Sequence, residues 1–167
     1  MEIPTSKVRE LREHSKAGIM ECRNALIEAA GDMGKALGIL KELSLIKVEK
    51  KRGRSASEGL IETYVHAGGR IGTMIEVKCE TDFAAHTDEF KELAHNLAMQ
   101  VAAMPPKFIS MEEVPEENDI DAKADCLLAQ PYIRIPDMTV QDVINEAIAK
   151  VGENIKVSRF TRFELGE

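Results

Sequence analysis

The chain has 167 residues, of which 44% are apolar and 31% are charged, and its formal net charge is −7. This length and composition are typical of a folded globular protein with one substantial core, and they exclude a disordered chain. The net acidity argues against a general nucleic-acid binder, and no apolar run approaches the roughly 20 residues of a membrane helix.

The N-terminus and the cysteines indicate the cellular compartment. Residues 1–10 lack both the apolar core of a signal peptide and the arginine- and serine-rich pattern of a transit peptide. The three cysteines, Cys22, Cys79 and Cys126, are widely spaced and show no metal-ligand motif. We therefore expect a cytoplasmic protein whose cysteines are packed in its interior as free thiols.

Three short helices are predicted over residues 5–51, separated by breaks at Gly18 and Gly31. Apolar residues recur at helical spacing in each of them, which predicts a small bundle with a modest core. The predicted apolar faces comprise Val8, Leu11, Ile19, Cys22, Leu26, Ala29, Ala36, Leu37, Leu40, Leu43 and, at the end, Ile46.

A basic stretch, KVEKKRGR at residues 47–54, follows the third helix and leads into the small polar residues SASEG. We interpret it as a solvated helix end that runs into a linker, and the alternative is a nucleic-acid patch. Residues 1–54 carry a charge balance of +4 and residues 55–167 one of −11. This change of sign places the predicted domain boundary between residues 54 and 55.

Residues 55–167 are predicted to form an α+β core that begins with a β-hairpin over residues 60–79. Gly68-Gly69 makes its turn, apolar residues fall at odd positions in both strands, and one face is buried. An amphipathic helix follows over residues 87–104, and two prolines end it. Residues 107–121 are acidic and irregular.

The predicted core ends with two helices and a strand. Residues 121–129 form a short helix, and a second helix starts at Thr139 and stops at Gly152. A strand covers residues 155–165, although Phe160 and Phe163 break its alternation and call for a bulge. The fold class is therefore α+β: a three-helix bundle, then a three-stranded antiparallel sheet with helices on one face.

The stretch CETDFAAH, residues 79–86, joins the hairpin to the amphipathic helix. Thr81, Asp82 and Phe83 put a hydroxyl, a carboxylate and an aromatic ring in a row. If the strand alternation continues, Phe83 is the last core residue of the strand and Asp82 is an ordinary helix cap. If the alternation ends earlier, Phe83 protrudes as an exposed tip. The residues alone leave both interpretations open.

No arrangement of residues makes a case for an enzyme. GDMGKA, residues 31–36, fails as a phosphate loop because only two residues separate its glycines and no strand precedes it. The histidines lack partners that would complete a metal site. Glu80, Asp82 and His86 could be assembled into a catalytic set, but no signature of nucleophilic catalysis accompanies them. We predict no catalytic residue, no metal and no cofactor.

Four segments of the chain, in order, closely resemble bacterial elongation factor Ts. They are LREHSKAGIMECRNALIEAAGD, RSASEG, EVKCETDFAAHTDEF and QPYIRIPDMTVQDVINEAIAKVGENIKVSRFTRFELGE. That family is the guanine-nucleotide exchange factor of the translation GTPase elongation factor Tu. The resemblance covers nearly the whole chain and is weakest over residues 105–126. It implies an N-terminal domain of the ubiquitin-associated type followed by an α+β core.

The resemblance also implies two partner-binding sites. The first is the Thr-Asp-Phe tip with the residue after it, which in this family enters the GTPase near its phosphate and magnesium site and helps to dislodge the ion. The matching residues here are Thr81, Asp82, Phe83 and Ala84. The second is the surface with which the N-terminal domain docks on the GTPase nucleotide-binding domain. Its matching residues are Leu11, Ile19, Met20 and Arg23.

The chain departs from the family pattern at the tip and in its length. Ala84 stands where valine is common, and His86 occupies the position at which the family has a basic or polar residue. The chain is too short for the second core subdomain and the coiled-coil insertion of longer members, so it resembles the short type in which a homodimer can supply the missing surface. The implied partners are elongation factor Tu and, in a homodimer, a second copy of the chain, without nucleic acid or membrane. The alternative function is a polypeptide-binding module of the ubiquitin-associated type that has no exchange activity.

Overall fold

The computed structural model describes residues 3–116 and 119–166. It has the α+β fold that the sequence predicts, with N-terminal helices followed by a three-stranded antiparallel sheet and its packed helices. The chain forms two compact units that divide between Lys50 and Lys51. Each unit is built around its own set of apolar residues.

The N-terminal unit contains α1 (Thr5–Ser15), α2 (Ile19–Glu28) and most of α3 (Met33–Arg52). Lys16 adopts a left-handed conformation at the end of α1, and the Asp32 carboxylate accepts a hydrogen bond from the Lys35 N–H at the start of α3. Its buried core consists of Val8, Leu11, Cys22, Ala25, Leu26, Ala29, Ala36 and Leu40.

Several residues of the predicted apolar faces lie outside this core. Ile19, Leu37, Leu43 and Ile46 are exposed. The physical reason is geometric, because two short helices and one long one cover only a narrow stripe of each other. The unit therefore presents apolar side chains on its outer surface.

The basic stretch at residues 47–54 is largely helical, since α3 continues to Arg52. Lys47 forms an ion pair with Glu21, and its hydrogen bond is the main reason that the pKa of Glu21 lies below the usual value. Lys51 donates to the Ile148 carbonyl over 3.4 Å, and Arg54 lies 3.7 Å from the Glu80 carboxylate. These contacts fit the interpretation of a helix end better than that of a free nucleic-acid patch.

The second unit is organised around a sheet with the strand order β1-β2-β5. Its strands are β1 (Glu58–Val65), β2 (Ile71–Cys79) and β5 (Lys156–Glu164). Two long helices, α5 (Asp88–Ala103) and α7 (Val140–Val151), pack together, and α5 lies on β1 and β2. The fully buried side chains there include Ile75, Val77, Phe90, Leu97, Val101 and Ile144.

The register of the hairpin decides which face of β1 is covered. Leu60, Glu62 and Tyr64 lie opposite Val77, Ile75 and Thr73, and so share the helix-covered face. Ile61 and Val65 lie on the uncovered face, against the expectation that the odd positions of β1 face inward. The turn fixes this register, and the inward Glu62 carboxylate lies 3.2 Å from the Nδ1 atom of His95 on α5.

The predicted bulge in β5 is confirmed, at Ser158. Glu76 pairs with Arg159 and Val77 pairs with Val157, which leaves Ser158 as the extra residue. The bulge puts Phe160 opposite Ile75 and leaves Phe163 opposite Gly72 on the uncovered face. Phe163 is 73% exposed.

The segment between α5 and α7 differs from prediction. Residues 117 and 118 of the predicted irregular stretch lie outside the described residues. The predicted helix over residues 121–129 is split into α6 (Ala122–Asp125) and a 3₁₀ turn (Leu127–Ala129), because Cys126 is extended and bridges to Phe108. A 3₁₀ turn (Met111–Glu113), α4 (Asp82–Ala85) and a small hairpin of β3 (Pro131–Tyr132) and β4 (Ile135–Thr139) complete the unit.

Two buried glutamines attach this segment to α5. The Gln100 amide donates to the Gln130 side-chain oxygen over 3.0 Å and to the Pro131 carbonyl over 3.1 Å. The Gln130 amide donates to the carbonyls of Met104 and Ala124 over 2.9 and 2.7 Å. Because buried polar groups are costly without partners, this network fixes the path of an otherwise irregular stretch.

Candidate functional site

The Thr81-Asp82-Phe83 segment forms an exposed tip at the end of β2. The strand ends at Cys79, and α4 begins at Asp82 with Thr81 as its N-cap. Alternation therefore stops before Phe83, whose ring is 82% exposed, while Ala84 and Ala85 turn inward and are buried. Of the two interpretations left open by the sequence, the exposed tip is the one that the geometry supports.

Every polar group of Thr81 has a partner. Its hydroxyl accepts from the Ala84 N–H at 3.3 Å and donates to a Glu153 carboxylate oxygen at 2.6 Å. Its N–H donates to the other Glu153 oxygen at 3.0 Å. Its carbonyl accepts from the Cys79 thiol at 3.1 Å and from the Ala85 N–H at 3.3 Å. The backbone that carries the exposed ring is therefore firmly held.

The Cys79 thiol is suited to donating the hydrogen bond that the Thr81 carbonyl accepts. It is fully buried, and burial, aided by the Glu153 charge, raises its pKa to about 11. At neutral pH it is therefore a protonated donor and not a reactive thiolate.

A groove of about 230 Å³ lies beside the tip. Phe83 and Ala84 line it on one side, and α7 contributes Lys150 and Val151 on the other. Lys150 approaches Glu89 to 3.7 Å across it, and both of these side chains are largely exposed. The ring of Phe83 thus stands at the rim of a shallow depression with charges of both signs.

The N-terminal candidates do not all lie on the surface. Ile19 and Met20 are 49% and 57% exposed at the start of α2, and Arg23 is exposed one turn later. Ile27 continues this outer stripe, and the sequence analysis missed it. Leu11 is fully buried in the core of the unit, so its side chain has no free surface with which to touch a partner.

Comparison with known proteins identifies the family. The family model described as "Elongation factor TS" matches residues 42–123, a range that includes the tip. The chain is 48% identical to elongation factor Ts of Caldanaerobacter subterraneus subsp. tengcongensis, over 99% of this chain and 98% of that relative. It is 47% identical to the protein of the same name from Thermoanaerobacter sp. strain X514, over 99% and 96% of the two chains. It is 45% identical to that of Coprothermobacter proteolyticus, over the full length of both.

The chain belongs to the elongation factor Ts family. It is therefore a translation elongation factor, and the α+β core and the N-terminal helices of the described structure are those that the resemblance implies.

The side chains of Glu80, Asp82 and His86 do not form a hydrogen-bonded catalytic set in this elongation factor Ts family member. The His86 ring contacts the backbone carbonyl of Asp82, not its carboxylate. The Glu80 carboxylate accepts from the Asn154 N–H at 2.7 Å. Within residues 3–116 and 119–166, no group of three potential ligands could hold a metal ion, and no helix is long and apolar enough to cross a membrane.

The sequence analysis missed Glu153, which contacts Thr81 of the tip from 72 positions away, and Asn154, which contacts the preceding Glu80 from 74 positions away. Both follow Gly152, which ends α7 in a left-handed conformation. The helix stop was visible in the sequence, but no local pattern points to the strand end that these two residues meet.

Proposed function

We propose that the protein is a guanine-nucleotide exchange factor for the translation GTPase elongation factor Tu. It promotes GDP release by inserting the Thr81-Asp82-Phe83 tip near the magnesium and phosphate site of the GTPase. Membership of the elongation factor Ts family supports the activity. The single observation that carries the mechanism is the ring of Phe83, which is 82% exposed in a turn that the hydrogen bonds of Thr81 hold.

Exchange by such a factor rests on reciprocal coupling. If binding of the factor weakens GDP binding by some ratio, GDP weakens binding of the factor by the same ratio. The factor therefore needs contacts with the nucleotide-free GTPase that it loses when nucleotide and metal are in place. An exposed aromatic wedge beside a carboxylate can supply such contacts.

The tip residues divide this work. Phe83 inserts between helices of the GTPase, and burying its ring contributes about 1.5–3 kcal/mol. The exposed Asp82 carboxylate makes polar contacts there and disfavours phosphate by charge repulsion. Thr81 fixes the turn, and the buried Ala84 forms the floor beneath the ring.

The N-terminal unit docks on the nucleotide-binding domain of the GTPase through α2. Ile19 and Met20 supply exposed apolar surface, and Arg23 supplies charge on the same helix. Leu11, which is fully buried, acts from behind by holding the helices of the unit together. We expect this factor in the cytoplasm, where translation takes place.

A second copy of the chain is the partner proposed for the uncovered face of the sheet. This face exposes Ile61, Val65, Met74 and Phe163, and an apolar patch of this kind marks a protein contact. It also carries Glu76 and Arg159, whose atoms approach to 2.7 Å. A twofold interface needs one patch that complements itself, and a patch with an apolar surface and both charges meets that condition.

The exchange mechanism is tested by release of fluorescent GDP from elongation factor Tu. Phe83→Ala should slow stimulated release by about tenfold, since one tenfold step corresponds to only 1.4 kcal/mol of lost interaction. Asp82→Asn should weaken binding to the nucleotide-free GTPase less than Phe83→Ala does, because the ring carries most of the buried area.

Ile135→Ala is the matched control, since Ile135 is an exposed apolar side chain on β4, outside the tip and α2. Circular dichroism should be unchanged in all variants. Near-normal exchange by Phe83→Ala would refute the wedge. Loss of function on deletion of residues 1–54, with Phe83→Ala fully active, would instead favour the interaction module.

A further inference from the structure

We propose that Glu153 is the positioning residue of the tip: its carboxylate holds Thr81 so that Phe83 is presented for insertion. This inference rests on the proposed exchange function, because it names the residue through which the same tip is oriented. It concerns a residue 70 positions from Phe83 in the sequence, in the link between α7 and β5.

The first support is the set of hydrogen bonds that the carboxylate accepts. One oxygen takes the N–H groups of Glu80 and Thr81 at 3.1 and 3.0 Å, and the other takes the Thr81 hydroxyl at 2.6 Å. The ladder of β2 ends at Cys79, so these two consecutive N–H groups have no strand partner. Glu153 replaces the missing strand with charge-assisted bonds, which are the stronger kind.

The second support is the relay from Glu153 to the turn that carries the ring. A hydroxyl has one proton and two lone pairs, so a Thr81 hydroxyl that donates to Glu153 turns a lone pair towards the Ala84 N–H. That contact closes the turn from Thr81 to Ala84, of which Asp82 and Phe83 are the two central residues. Because the ring is almost free of packing, the backbone of this turn decides where it points.

The third support is that Glu153 is itself fixed. Gly152 ends α7 with a φ of 86°, and Asn154 follows as a buried residue. The Asn154 N–H donates to the Glu80 carboxylate at 2.7 Å, and its side chain donates to the carbonyls of Arg52 and Arg54 at 3.2 and 2.8 Å. Two hydrogen bonds of Glu80 thus join the end of β2 to the residues after α7. The Glu80 N–H donates to Glu153, and the Glu80 carboxylate accepts from the Asn154 N–H.

These contacts separate positioning from binding. The Glu153 carboxylate accepts its hydrogen bonds from the N–H groups of Glu80 and Thr81 and from the Thr81 hydroxyl. Removing it therefore leaves the Phe83 ring present but its turn unanchored. Productive insertion needs a defined geometry, and a small misplacement of a positioned group lowers a rate steeply. The effect of Glu153 on exchange must therefore pass through Phe83.

A double-mutant cycle measures that dependence directly. Stimulated release of fluorescent GDP from elongation factor Tu is compared for the full-length wild type, Glu153→Ala, Phe83→Ala and the double variant. Glu153→Ala alone should slow release by about tenfold, as expected for loss of bonds to a charged group. In the Phe83→Ala background it should change the rate by less than about twofold, because there is no ring left to position.

Two further variants sharpen the cycle. Glu153→Gln keeps an oxygen that can accept from the two N–H groups, so it should restore part of the rate. Glu146→Ala is the matched control, since it removes one exposed negative charge from α7 without touching the tip, and its exchange rate should equal that of the wild type. Equal slowing by Glu153→Ala with and without Phe83 would overturn the inference, because a general loss of structure would act in both backgrounds.

Amide hydrogen exchange tests the positioning without the GTPase. Glu153→Ala should remove protection at Glu80, Thr81 and Ala84 while the amides of β1 and α5 keep theirs. Unchanged protection at these three amides would overturn the inference whatever the exchange rates. If the wild type does not accelerate GDP release at all, the proposed function fails, and this measurement still decides whether Glu153 holds the tip.

Discussion

At the scale of single residues, the main feature of the tip is the exposed ring of Phe83. Phe83 is followed by two small residues, and the buried Ala84 and Ala85 let α4 pack closely while the ring stays in solvent. Because Ala84 is buried, its small size affects the packing beneath the exposed ring. The free protein thus leaves unburied an area worth about 1.5–3 kcal/mol to a complex that covers it.

Cys79 gives a pH-dependent prediction at the same scale. Its pKa rises from an ordinary value of 9.0 to about 11 in the folded chain, chiefly because it is buried. Between these values the unfolded chain has lost the proton that the folded chain keeps. The contribution of this thiol to stability is therefore complete below pH 9 and is lost as the pH rises towards 11.

Urea unfolding at pH 8, 9, 10 and 11 measures this loss. The free energy of unfolding should fall more steeply with pH in the wild type than in Cys79→Ala, which removes this one titration and leaves all others in place. Parallel pH profiles for the two proteins would show that the Cys79 pKa is not raised.

At the scale of elements, α2 and its neighbours separate two kinds of apolar residue. Leu11 and Leu26 face the core of the N-terminal unit, while Ile19, Met20 and Ile27 face outward on α2. Both sets satisfy the same helical spacing, and only their burial distinguishes them. The buried side chains support the fold, while the exposed side chains are free to contact a partner. Substitutions should act on different quantities in the two sets.

Leu11→Ala should lower the free energy of unfolding of the N-terminal unit by about 2–5 kcal/mol, because it leaves a cavity in a small core. The double variant Ile19→Ala with Met20→Ala should leave unfolding nearly unchanged and weaken binding to elongation factor Tu, because both side chains are exposed. Thermal unfolding and titration calorimetry measure the two effects. Leu37→Ala on α3, also exposed, is the control for a general effect of surface truncation.

At the scale of the whole sheet, the described helices of the second unit cover only one of its two faces. The described helices of the second unit pack on the face that carries Ile75 and Val77, and the opposite face exposes Val65 and Phe163. A sheet normally covers its apolar face with a second layer. A second copy of the chain can provide that layer.

Sedimentation equilibrium of the isolated chain should therefore show a concentration-dependent dimer. Phe163→Glu should shift it to the monomer, since a charge buried at a twofold contact meets its own copy. Lys123→Glu changes charge on the exposed part of α6 and should leave the dimer intact. A wild-type chain that stays monomeric at high concentration would exclude the homodimer, and a mixture with elongation factor Tu would separate 1:1 from 2:2 complexes.

The sequence by itself determined the features that depend on neighbouring residues. Helical spacing, the two prolines after α5, the Thr139 start and the Gly152 stop predicted α5 and α7, and the alternation of β2 predicted its buried face. These signals are local because a cap or a strand face is set within a few residues. The family motifs, including the Thr-Asp-Phe tip, were visible for the same reason.

Only the tertiary structure decided what depends on distant partners. The direction of Phe83, the outward side of Ile61 and the burial of Leu11 follow from which elements meet. The contacts of Glu153 with Thr81 and of Gln100 with Gln130 join residues 72 and 30 positions apart. Such contacts leave no periodic pattern in either segment. Each depends on a partner that is distant in the sequence and comes close only in the folded chain.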